Sequence, residues 1–178
     1  MKLECIVQPE QEPLTLTDVK AYLRIDGDTE DALLASLISA AREYCESYQH
    51  RAYGEQTLRL TLPAIDAQAS IELPRSKDLV EIKNISVNNN FGTKEIVDDY
   101  TISYSSINAN LSLMVAVLAD DDLCIDYIVK GDCDQSTMMA MRLLVASWYE
   151  NRLAVDSKSY NEVPFAVTAL LNPGRVLL

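Results

Sequence analysis

The chain has few of the residues that carry chemistry. Among 178 residues there is one histidine, His50. A Ser–His–Asp or Cys–His machine would need that single ring, and no Gly-x-Ser-x-Gly surrounds any serine. His50 follows a helical pattern, where a histidine more often just complements the helix dipole. There are only five glycines, and no Gly-x-x-x-x-Gly-Lys-[Ser/Thr], so a phosphate cradle has no support. The four cysteines, Cys5, Cys45, Cys124 and Cys133, have no C-x-x-C spacing and no neighbouring histidine. That argues against zinc, and Cys45 reads as a small buried thiol. Positive charge is scarce too. Lys and Arg number 15 against 27 Asp and Glu, giving a net charge of -12 and a pI near 4.4. Such a surface repels nucleic-acid phosphates. The nine tyrosines are not interleaved with a basic patch, as a single-strand platform would require. No apolar run approaches membrane-spanning length. Met1 to Pro13 carries charges throughout and no secretory h-region. Together these features predict a cytosolic protein with reduced thiols and no membrane association.

What is present is a packing sequence. Hydrophobic residues make up 48% of the chain, enough for one domain, or one with an insertion. Pro9 and Pro13 bar a helix in residues 1–13 and leave an extended arm or edge strand. Thr15 followed by Asp18 is a capping-box start for a short first helix ending near Ile25. Asp28 is the expected cap of a second helix over about residues 29–50. Its apolar stripe is Leu33, Leu37, Ala40, Ala41, Tyr44, Cys45 and Tyr48, widened by Leu34 and Ile38.

From about residue 56 the period drops to two. Strands are expected at 57–62, 71–74, 80–87, 100–104, 111–118 and 123–129, forming one small antiparallel sheet. The last two flank Asp120 to Asp122 and are expected to pair as a hairpin. Helical spacing returns near Asp134, with Met138, Met141, Leu144, Val145, Trp148 and Arg152 on one line. Pro164 stands at a natural first position for a short last helix through Leu171. The expected fold class is α+β. Two helical segments, 1–55 and 134–178, build one module of about four helices, and a β-rich segment, 56–133, is inserted between them.

The acidic runs invite a cation reading. Asp26, Asp28 and Glu30 would fill positions one, three and five of a calcium loop. Asp31 then stands where that loop needs glycine, and Leu37 where it needs glutamate. A turn and an acid-led helix start account for these residues. A small cation- or ligand-binding protein, or an enzyme, using Asp26–Asp31 and Asp120–Asp122 is the alternative reading. The residues themselves give no cofactor.

The order of parts resembles the head–tail connector (adaptor) family of tailed bacteriophages and prophage particles. Leu14, Thr15, Lys20, Leu23-Arg24-Ile25, Asp26-Gly27-Asp28 and Asp31-Ala32-Leu33 match its opening. Ala40-Ala41-Arg42 with Glu46 match its long helix, and Leu73-Pro74-Arg75 an extended piece. Trp148-Tyr149-Glu150-Asn151-Arg152 match the end of its penultimate helix. Val163-Pro164 and Leu170-Leu171 match the last one.

The resemblance implies a non-enzymatic structural subunit of a virion neck, made in the bacterial cytoplasm. It implies a dodecameric ring below the portal that extends the DNA channel and docks the next neck or tail-completion protein. DNA would pass an acidic lumen without sequence-specific binding. A ring uses two different faces of each subunit. Lys20, Leu23, Arg24, Arg42, Glu46, Trp148, Tyr149 and Arg152 are the expected ring or core-packing residues. Pro164, Phe165, Leu170, Leu171, Arg175, Val176, Leu177 and Leu178 are the expected portal or partner contacts, because an apolar chain end gains little unless something covers it.

Overall fold

A computed structural model describes residues 1–63, 70–89, 92–95, 100–105, 108–114, 117, 121–151 and 165–176. Asp120, Arg152, Pro164, Leu177 and Leu178 lie outside the described residues. The chain forms two compact units. The first ten residues and 54–131 make one, and residues 11–53 with 132–178 make the other.

The helical unit contains four α-helices among the described residues: α1 (Leu16–Leu23), α2 (Asp31–Gln49), α3 (Gln135–Glu150) and α4 (Phe165–Leu171). Thr15 and Asp18 close a reciprocal capping box on α1. The Thr15 hydroxyl and N–H hold the Asp18 carboxyl below the usual carboxylate range. Asp134 caps α3, its carboxylate accepting from Thr137 N–H at 2.7 Å. Asp134→Ala is therefore expected to cost about 1 kcal/mol in urea unfolding. The cap of α2 differs from the expectation. The helix begins at Asp31, with Glu30 rather than Asp28 at the N-cap position, and Glu30 makes no capping bond. Its carboxylate instead accepts from the Tyr149 hydroxyl.

The stripe of α2 is also turned from the expected one. Leu34, Ile38, Ala41 and Cys45 are buried, whereas Leu33 is 37% exposed and Ala40 faces solvent. The same face buries Arg42, Glu46 and Gln49. Hydrophobicity alone centres the stripe on the tyrosines. The structure centres it on a line that includes three polar side chains, each with partners inside the subunit. Leu14, Val19, Ala140, Met141, Leu144, Val145, Val167 and Leu171 complete this core.

The β unit holds β1 (Lys2–Val7), β2 (Gly54–Leu62), β3 (Ser70–Glu72), β4 (Leu79–Asn89), β5 (Gly92–Glu95), β6 (Tyr100–Tyr104), β7 (Ala109–Leu113) and β8 (Asp122–Gly131). They pair in two antiparallel sheets, β1-β2-β8-β4-β5 and β3-β7-β6, rather than one. Among the described residues the expected β7–β8 pairing is not seen, since β8 lies between β2 and β4. Leu111 of β7 instead lies opposite Ile71 of β3 and Ile102 of β6. Alternation places Leu58, Leu60, Ile85, Leu123, Ile125, Tyr127 and Val129 of the larger sheet in the interior. Leu111 and Leu113 of the smaller sheet are buried as well.

A polar corner ties the sheets together. The Tyr127 hydroxyl donates to the Pro74 carbonyl at 2.6 Å. Leu73 N–H donates to the Ala109 carbonyl at 2.9 Å, and Ala109 N–H donates to the buried Ser76 hydroxyl at 2.7 Å. Arg75 turns the chain in the left-handed region at φ 59. The Leu73-Pro74-Arg75 run is thus a structural corner.

Candidate interaction surface

The residues singled out in the sequence separate into an interior set and a surface set. Arg42 is the centre of the first. It is 1% exposed. Its Nε donates to Glu12 Oε2 at 2.8 Å and its guanidinium donates to Glu46 Oε2 at 3.0 Å. The other Glu12 oxygen accepts from the Ser39 hydroxyl at 2.8 Å, and the other Glu46 oxygen from Tyr53 N–H at 2.8 Å. One cation on α2 thereby fastens the segment entering the unit at Glu12 and the segment leaving it at Tyr53. Buried charges of this kind need such complete pairing. Arg42 and Glu46 are thus interior residues of the helical unit.

The acidic turn is likewise used within the unit. Lys20 Nζ lies 2.6 Å from Asp31 Oδ1, joining α1 to α2. Tyr149 joins α3 to the start of α2 through Glu30. Leu23 packs against the core and Arg24 ends α1 in the left-handed region at φ 56. No three His, Cys, Asp or Glu among the described residues stand together as a metal would need.

Two of the four thiols, Cys45 and Cys133, are chemically quiet. Burial pushes Cys45 up to about 12, with Cys133 and Glu46 adding smaller effects. Burial also pushes Cys133 up to about 12, helped by Asp134 and Glu46. At neutral pH neither presents the thiolate that nucleophilic chemistry requires.

The surface set lies at the margin of the core, where Tyr44, Tyr48 and Trp148 pack against it while staying partly exposed. Trp148 meets Tyr44 edge-on, with centroids 6.4 Å apart, and Tyr44 stacks on Tyr48 at 6.4 Å. The Arg175 guanidinium then lies 5.2 Å from the Tyr48 ring centre. All three rings are partly buried and Arg175 is exposed. Trp, Tyr and Arg are the side chains that most often anchor interfaces. Phe165, at the start of α4, is 86% exposed.

The expected partner contacts divide in the same way. Leu170 packs against the core and Leu171 is fully buried in it, so Leu171 is a core residue and is not available to a partner. Val176 N–H donates to the Gln49 carbonyl at 3.0 Å. The chain end is therefore held on its own subunit as far as Val176. Sequence reasoning missed Gln49, Glu12 and Tyr53. Gln49 carried one signal: it sits four residues beyond Cys45, in register with the buried line.

A family model described as phage gp6-like head-tail connector protein matches residues 13–119, more than half the chain. Three solved structures share the fold. A chain in the neck of an empty GTA particle computed with C6 symmetry superposes with a TM-score of 0.79 at 19% identity. One in the virion of the native gene transfer agent particle gives 0.75 at 20%. One in the neck of the native GTA particle computed with C12 symmetry gives 0.70 at 21%. Each comparison covers 100% of this chain and 97% of the other. No curated protein sequence matches the chain.

Proposed function

The chain belongs to the phage gp6-like head–tail connector family, and from that membership we propose that it forms a closed ring in the particle neck, seated against the portal. It is a structural neck adaptor subunit rather than a chain built around a reactive site. The family match over residues 13–119 is the observation that carries this reading. The fold shared from end to end with neck chains of a gene transfer agent supports it, and the sixfold and twelvefold symmetries of those necks favour a ring of twelve copies.

The physical chemistry agrees. A net charge of -12 suits a channel that DNA crosses without adhering. The aromatic line of α2 and the exposed Phe165 give one subunit two different apolar surfaces, as a head-to-tail ring contact requires. The end of the ring away from the portal would dock the next neck or tail-completion protein. The subunit would reach the virion neck from the host cytoplasm.

Solution mass tests this reading. Light scattering of the purified chain, alone and mixed with the portal ring of the same particle, is expected to show a closed ring or a portal-bound ring. A chain that stays monomeric in both mixtures and gains marked thermal stability with calcium or magnesium would overturn it.

A further inference from the structure

Gln49 ends α2 and is 1% exposed, yet it is among the most connected polar side chains of the helical unit. Its Nε2 donates to the Leu171 carbonyl at 2.7 Å, at the end of α4. Its Oε1 accepts from the Thr137 hydroxyl at 3.3 Å, in the first turn of α3. Its backbone carbonyl accepts Val176 N–H. One residue thus joins the end of α2, the start of α3, the end of α4 and the chain beyond.

Gly174 stands against this side chain. It is not among the residues with positive φ, so its backbone conformation does not call for glycine. Space does. A Cβ there would sit 2.6 Å from Gln49 Nε2 and 3.2 Å from its Cδ. The amide cannot swing aside cheaply, because moving it leaves the Leu171 carbonyl and the Thr137 hydroxyl without their partner. Just beyond, the Tyr48 hydroxyl donates to Asn172 Oδ1 at 2.7 Å. Arg175 covers the Tyr48 ring.

We infer that Gln49 is the positioning residue of the C-terminal tail: it latches residues 171–176 to α2 and α3, and Gly174 is glycine to leave room for it. The latch fixes where the chain end departs and in which direction, so the ordering cost is met before a partner arrives. This inference rests on the reading of the chain end as a portal contact.

Three variants test it: Gln49→Ala and Gly174→Ala in the full chain, and a chain ending at Gly174. Two readouts are taken, hydrogen exchange of the Val176 amide and occupancy of the particle's portal ring. Gln49→Ala also removes buried contacts. Gly174→Ala, near the surface, keeps the test sound if Gln49→Ala unfolds. Far-UV circular dichroism confirms that each variant is folded.

Gly174→Ala is expected to speed Val176 exchange at least tenfold and to weaken portal attachment by about tenfold. The shortened chain is expected not to attach. If it fails to attach while Gly174→Ala exchanges and attaches like the parent, the latch is wrong and the portal reading stands. If the shortened chain attaches as well as the parent, the portal reading of the tail is wrong. Val176 exchange in Gly174→Ala then decides the latch alone: faster exchange upholds it and unchanged exchange overturns it.

Discussion

Arg42→Met is expected to lower the stability of the helical unit by about 3–5 kcal/mol, the usual cost of removing one partner from a buried ion pair. The methionine fits the space, so little of the loss comes from packing. It comes from the carboxylates left behind. Glu46 has a side chain only 2% exposed and would lose the guanidinium while keeping the Tyr53 N–H. Glu12, 26% exposed, would lose its short contact with Nε. At two to four degrees per kcal/mol for a chain of this size, the melting temperature should fall by about 10 °C.

Arg42→Lys should recover only part of this, because one ammonium cannot reproduce the planar fork that reaches both carboxylates. Adding Glu46→Gln to Arg42→Met should recover more, since it removes the stranded charge. Chemical denaturation of the three variants checks the order. A loss below about 1 kcal/mol for Arg42→Met would show that water reaches the site and that the network is not the clamp described.

How far the fold was legible follows from the same network. The helices, the strand-rich middle and the Thr15–Asp18 box are local features, and the spacing of their residues announced them. The pairing of Arg42 with Glu46 was foreseeable as an i, i+4 pair on one helix. Its depth was not, because that depends on Glu12 and Tyr53 arriving from distant parts of the chain. The α2 stripe was read about one residue out of register for the same reason. A buried Arg, Glu and Gln look like surface residues until their partners are in place.

The split into two sheets is a non-local matter as well. Leu111 alternates equally well beside β8 or between β3 and β6. The choice rests on the corner built by Pro74, Ser76, Ala109 and Tyr127, which no short window of sequence displays. Of the surface, Phe165 and the exposed Arg175 were visible as apolar or charged residues at a chain end. The role of Gln49 was not, since a glutamine at the end of a helix is ordinary until its partners Leu171, Thr137 and Val176 are known.

Raising the pH from 8 toward 11 is expected to lower the stability of the chain. The sign follows from where the protons sit. In the folded chain the Cys45 thiol stays protonated until about pH 12, whereas in the unfolded chain it ionises at roughly 8.5–9. Between those limits the unfolded state holds fewer protons, so stability falls as pH rises. The contribution is complete below about pH 9 and is lost through the folded value near 12. At pH 11 Cys45 alone should remove about 3 kcal/mol. Cys133, also held near 12 but only partly buried, adds a smaller amount. Tyr53 in the helical unit and Tyr127 in the β unit, both pushed up by burial, add their share above about pH 10.

Urea unfolding at pH 8, 9.5 and 11 measures the fall. Cys45→Ala separates the thiol from the tyrosines. It should lower stability at pH 8, because a buried side chain shrinks, yet flatten the decline toward pH 11. Equal stability of the parent chain at pH 8 and 11 would contradict the burial of Cys45 on which the helical core depends. The same dependence bears on assembly. A ring held by intact helical units should dissociate over the pH range in which those units melt, and a buffer near pH 8 is therefore the condition in which to look for it.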